Sequence, residues 1–127
     1  MFKCVKTGAG FSNVPETCYF KVKVGEEVKD GMALVLANGY LTKATTKVEY
    51  IALKEGVGEE TIPVMKVSAL DVYETTLTAD PSSIYEGDKL ALTSDGLNAG
   101  AKSESGAMTV VKFVENKVVG AKAHVIL

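Results

Sequence analysis

Apolar and polar side chains alternate along residues 18–24, with Cys18, Phe20, Val22 and Val24 on one side and Tyr19, Lys21 and Lys23 on the other. That period of two predicts a strand with one buried face. Residues 32–37 are apolar on both faces, as a central strand requires. Asn38-Gly39 follows as a hairpin turn, because both residues tolerate positive φ, and residues 40–44 are expected to pair back. Further strand signals lie at 48–54, 62–67, 72–78, 89–93, 108–115 and the terminal stretch, where Ala121, Ala123, Val125 and Leu127 share one face and Lys122, His124 and Ile126 the other. Pro63 has no amide donor, which predicts an edge position or a strand start for 62–67. Polar or glycine-containing breaks fall at 25–27, 55–61, 80–83 and 116–117, and 97–106 reads as a Gly/Ala/Ser-rich connection. No segment holds a sustained 3.6-residue period; a short helix between Val67 and Tyr73 is the expected exception.

The pattern repeats. Residues 28–41 reappear as 84–97 with one inserted residue before the second turn and one fewer after it: Val28 and Ile84, the acid-glycine turns Asp30-Gly31 and Glu86-Gly87, an apolar strand, the turns Asn38-Gly39 and Asp95-Gly96, then Leu41 and Leu97. A β-rich segment follows each copy. The fold class expected is therefore all-β, a single small β-barrel or sandwich built from two related β-meander units, with roughly eight to ten short strands. Residues 1–24 form an N-terminal segment with the first strand, and 25–127 the barrel domain.

A chain of 127 residues buries roughly two thirds of its unfolded surface and needs no metal or disulfide to fold. It has no apolar run near the ~20 residues of a spanning helix, and residues 1–6 do not resemble the start of a signal peptide, so a soluble, unsecreted protein with no membrane partner is expected. Net charge is -2 and all 14 basic residues are lysines. Without arginine, the preferred reader of phosphates and guanine edges, no nucleic-acid partner is expected. Cys4 and Cys18 match no zinc or thioredoxin-like spacing. Reduced thiols are the expectation, with Cys18 facing the core, although a bridge across a hairpin is geometrically open.

Candidate chemistry is sparse. Residues 96–103 superficially resemble a phosphate-binding loop, but the glycine spacing is short and no helix follows; Gly8-Ala9-Gly10 lacks the strand and helix of a dinucleotide fingerprint. His124 is expected on an outward strand face, with no nucleophile or orienting carboxylate identifiable. Asp80, Glu86, Asp88 and Asp95 lack calcium-loop spacing and read as turn residues. No catalytic, cofactor-binding or metal-ligating residue is assigned, no cofactor is implied, and the chain is not expected to be an enzyme.

Two resemblances follow from these residues. Val64-Met65-Lys66-Val67, the Gly31 and Gly87 turns and the twofold repeat are similar to biotinyl and lipoyl carrier domains, which implies a β-barrel binding or carrier module modified at Lys66. In those domains, however, the lysine sits at an exposed hairpin tip close behind the first glycine-containing strand. The order of elements across 25–127 resembles the small β-barrel head-decoration, or cement, proteins of tailed bacteriophages and prophages: the Val28-x-Asp-Gly31 entry, the Asn38-Gly39 hairpin, Tyr50-Ile51-Ala52-Leu53, Ile62-Pro63-Val64, Tyr73-Glu74-Thr75, Gly87-Asp88-x-Leu90 and the terminal Ala123-His124-Val125-Ile126-Leu127. This second likeness implies a non-enzymatic virion protein on the capsid surface, assembled in the host cytoplasm. It further implies the major capsid protein as partner, and homo-oligomers that are often trimers. Residues 1–17 lie outside the repeat and carry Phe2, Phe11 and Val14, which makes them the expected capsid- or subunit-contact arm; the competing expectation is an edge strand folded onto its own barrel.

Overall fold

The computed structural model of the chain describes residues 1–7 and 17–127. After β1 (Lys3–Lys6), the alternating stretch forms β2 (Thr17–Val22), whose exposure alternates down to a fully buried Val22. Val24 was expected on the buried face but lies past the strand end and is exposed, because the chain turns at Gly25 with φ 80°. β3 (Glu27–Val28) leads to the Gly31 turn. β4 (Ala33–Ala37) and β5 (Tyr40–Lys43) then form the predicted hairpin, with Asn38 at φ 53° and Gly39 at φ 82°, the two positive values that a tight two-residue turn demands. β6 (Tyr50–Ala52), β7 (Gly56–Val57) and β8 (Thr61–Lys66) follow. Strands β2, β5, β4, β6 and β8 close into a barrel in that order, parallel at β2–β5 and antiparallel elsewhere, while β3 pairs with β7.

Pro63 is therefore not at an edge: β8 is paired on both sides. The barrel tolerates it because the Pro63 carbonyl accepts from Leu53 N at 3.0 Å just beyond the end of β6. In an antiparallel ladder the amide of a residue points to the same side as its carbonyl, so the missing donor faces the place where β6 has already stopped.

The second half repeats this path. β9 (Val72–Thr76), β10 (Lys89–Leu92), β11 (Ala99–Lys102), β12 (Met108–Phe113) and β13 (Lys122–Ile126) pair as β9–β13, β13–β12, β12–β10 and β10–β11, all antiparallel, matching β2–β8, β8–β6, β6–β4 and β4–β5. Even the closure is shared. Leu77 and Ala99 form a parallel bridge, and Thr78 N donates to Ala99 O at 3.1 Å as Lys23 N donates to Leu41 O at 2.9 Å. The turn before each last strand docks alike, Glu59 N on Val22 O and Gly120 N on Leu77 O, both at 2.8 Å, with φ of 68° and 90°. The strands thus form a closed barrel and a second, barrel-like sheet to which β1 adds outside β9, thirteen strands among the described residues and no helix.

Three expectations change. The spatial counterpart of Leu41 is Ala99, not Leu97, because the second hairpin is longer, and the 97–106 connection contains a strand, β11. Its small residues serve close approach and not flexibility: a Cβ on Gly106 would lie 2.5 Å from the Leu90 carbonyl oxygen. The helix expected near residues 67–73 is a tight turn. Asp71 N donates to Ser68 O, Asp71 Oδ2 accepts from Ser68 N at 2.9 Å, and Leu70 sits at φ 68°, a left-handed value that a right-handed helix excludes.

The alternating faces make two cores. Val22, Val28, Leu34, Leu41, Ile62 and Val64 fill the closed barrel. The second core contains Tyr73, Leu77, Ile84, Leu90, Val110 and Val125 together with Ala33, Val48, Ile51 and Met65 from the first half. Thus β4 sends Leu34 into its own barrel and Ala33 to its neighbour. Ala33 N also donates to Gly96 O at 2.8 Å, and Leu97 packs against the first core, so the lengthened hairpin ties the halves together.

Candidate interaction surfaces

Most of the polar residues singled out by type have a structural partner. His124 is half-buried on β13, opposite Glu74 on β9, with Nε2 to Oε2 at 3.5 Å. This cross-strand carboxylate is the neighbour that sequence spacing did not reveal. Asp88 Oδ2 accepts from Tyr85 N at 2.9 Å and faces Lys102 Nζ at 3.1 Å, and these two partners hold its carboxyl below the usual range. Asp95, held low by the Thr93 hydroxyl and Leu97 N, staples the second hairpin turn. Asp80 accepts from Ser82 N at 3.0 Å. Glu86 is exposed in the Gly87 turn. Among the described residues no three His, Cys, Asp or Glu side chains converge as a metal would require.

The thiols lie apart. Cys4 is opposite Tyr73 in one sheet and Cys18 opposite Val64 in the other, so no hairpin joins them, and both are free. Burial pushes the Cys4 thiol up, which disfavours the nucleophilic thiolate. Burial likewise pushes the Tyr73 phenol well above its ordinary range, while its hydroxyl points at Met65 Sδ at 3.4 Å. Lys66 is exposed at the end of β8, opposite Tyr50 in the ladder, a strand position and not a hairpin tip.

Of the expected contact residues, Phe2 is 2% exposed and belongs to the second core, with its amide donating to Gly31 O at 2.9 Å. β1 is thus laid along β9 as a strand of the fold's own sheet, and the Phe2 side chain is spent inside it. Phe11 and Val14, with Gly8-Ala9-Gly10, lie outside the described residues.

Exposed apolar side chains also occur singly at Tyr19, Val24 and Leu70, but three lie together in sequence on the loop joining β12 and β13. Val114, Val118 and Val119 stand out there. Tyr85, from the turn before β10, joins them through Lys117, whose Nζ lies 4.2 Å from the Tyr85 ring centre and 4.9 Å from that of Phe113. Such geometry holds the cation by the ring faces. The sequence reading missed this surface because it is assembled from two loops, and no single segment carries it. Arrangements of this kind make non-covalent contacts.

No protein-family model and no curated protein matches the chain. Among solved structures, it is similar to the head fiber gp8.5 N base in bacteriophage phi29, with a TM-score of 0.60 and 19% sequence identity, over 88% of this chain and 94% of that one. At that identity the likeness is one of fold, and it shows that this chain has the fold of a phage head fiber base.

Proposed function

We propose that this protein is a structural component of a phage or prophage virion, carried on the outside of the capsid shell and attached to the major capsid protein by non-covalent contacts. The observation that carries the reading is the match to a head fiber base along nearly the full length of both chains. The residue set is consistent with the role: most of the titratable groups described above serve turns, ladders and core, and Tyr85, Val114, Val118 and Val119 expose apolar surface on loops. The role is non-enzymatic. It makes the protein a decoration or fiber-base subunit, and a trimer is the assembly that the decoration-protein resemblance favours.

The test is co-sedimentation of the purified protein with expanded and unexpanded shells of the major capsid protein from the same genome. Saturable binding to the expanded shell is the expected result, and its plateau gives the copy number. Absence of binding to either shell would overturn the assignment. Sedimentation velocity of the free protein tests the trimer.

A further inference from the structure

We infer that the tip formed by Tyr85, Val114, Val118 and Val119 is the face that seats on the shell, against an apolar patch of the capsid protein flanked by a carboxylate that pairs with Lys117. The inference rests on the virion reading above and adds which surface makes the contact.

The duplicated fold supplies its own control. The hydrogen bond from Asp88 N to Tyr85 O matches that from Met32 N to Lys29 O, so Tyr85 occupies the place of Lys29. Ala121 N to Val118 O matches Glu60 N to Val57 O, so Val119 and Gly120 occupy the places of Gly58 and Glu59. Matching backbone turns therefore carry Lys29 and Gly58 in the first half where the second has Tyr85 and Val119, so folding does not demand those two apolar residues, while Val118 has a valine, Val57, as its counterpart. Yet Tyr85 is 60% exposed, Val118 58%, Val119 62% and Val114 44%. For Tyr85 and Val119 this exposure is unfavourable without a return in folding, as a contact surface requires, and Val114 and Val118 extend the same loops.

Its size selects the occupant. These side chains present on the order of 400 Å² of apolar surface, the scale at which a patch on a single chain is often functional. A stable dimer buries about 800 Å² per partner, so a second copy is not the occupant that the area favours. A weak contact repeated over a shell lattice gains strength through multivalency. Lys117, already held between two rings, offers a positioned cation to an acidic group on the partner.

The test exchanges the tip for the sister sequence, Tyr85→Lys with Val119→Gly, and compares it with a shape-preserving variant, Val118→Thr with Val119→Thr, and with Val57→Thr on the first half. Thermal unfolding checks that each folds, and co-sedimentation with expanded shells reads binding. Both tip variants are expected to weaken binding at least tenfold, and Val57→Thr to leave it unchanged. Folded tip variants that bind like the parent would overturn the tip assignment while leaving the virion reading intact. A parent protein that binds no shell would overturn both. Self-association of the parent that the tip variants abolish would make a second copy the occupant, and overturn the shell assignment.

Discussion

Thr75 is fully buried on β9 with a hydroxyl oxygen that has no hydrogen-bond partner. Its counterpart in the first half, set by the pairs Phe20–Ile62 and Thr75–Ala123, is Phe20. Thr75→Val keeps the branched shape and removes the unpaired oxygen, so it is expected to stabilise the protein by about 1 kcal/mol, read as a higher urea midpoint. A lower midpoint would mean that the hydroxyl is satisfied. Asp88 supplies a pH test. Its folded pKa lies below the ordinary value, so its contribution is complete above the usual carboxylate pKa of about 3.9 and is lost as pH falls through the lower folded value. Asp88→Asn is expected to flatten the acid limb of the melting temperature against pH, with Asp95, also held low, retaining the remainder. An unaltered limb would count against the turn pairing.

The strands show where periodicity suffices and where pairing decides. β2, the β4–β5 hairpin and β13 were legible because alternation and Asn38-Gly39 are local signals. Pro63 was misplaced because tolerance depended on where β6 ends, a matter of the neighbouring strand. β11 was hidden because a strand of alanine and glycine reads as a linker until it is seen paired with β10, where a Cβ on Gly100 would lie 3.3 Å from the Ala91 carbonyl oxygen. β1 links the halves: Phe2 packs in the second core while its amide bonds the Gly31 turn of the first. Phe2→Ala is expected to cost about 3–5 kcal/mol, measured by urea denaturation. A loss below about 1 kcal/mol, the size of a surface change, would mean that β1 is dispensable and restore it as a candidate contact arm.

Across the molecule, the second core draws Ala33, Val48, Ile51 and Met65 from the first half, and the Gly96 hairpin bonds to Ala33. Neither half buries its apolar surface alone. Calorimetry is therefore expected to show one transition, with equal calorimetric and van't Hoff enthalpies; two resolved transitions would show that the halves fold independently. The duplication itself was visible as a sequence repeat between residues 28–41 and 84–97, but its true extent, from β2 to β8 and from β9 to β13, required the hydrogen bonds.

Side-chain alternation and turn residues, read without coordinates, were enough to establish an all-β chain with an internal duplication, since both act through the local backbone. Closure of the first barrel, the placement of Phe2 inside a shared core, the Glu74 partner of His124 and the exposed tip around Tyr85 and Val118 were decided only in three dimensions. Each depends on residues far apart in the chain meeting across strands or between loops, and no local pattern encodes which of the many possible meetings leaves the most apolar surface buried.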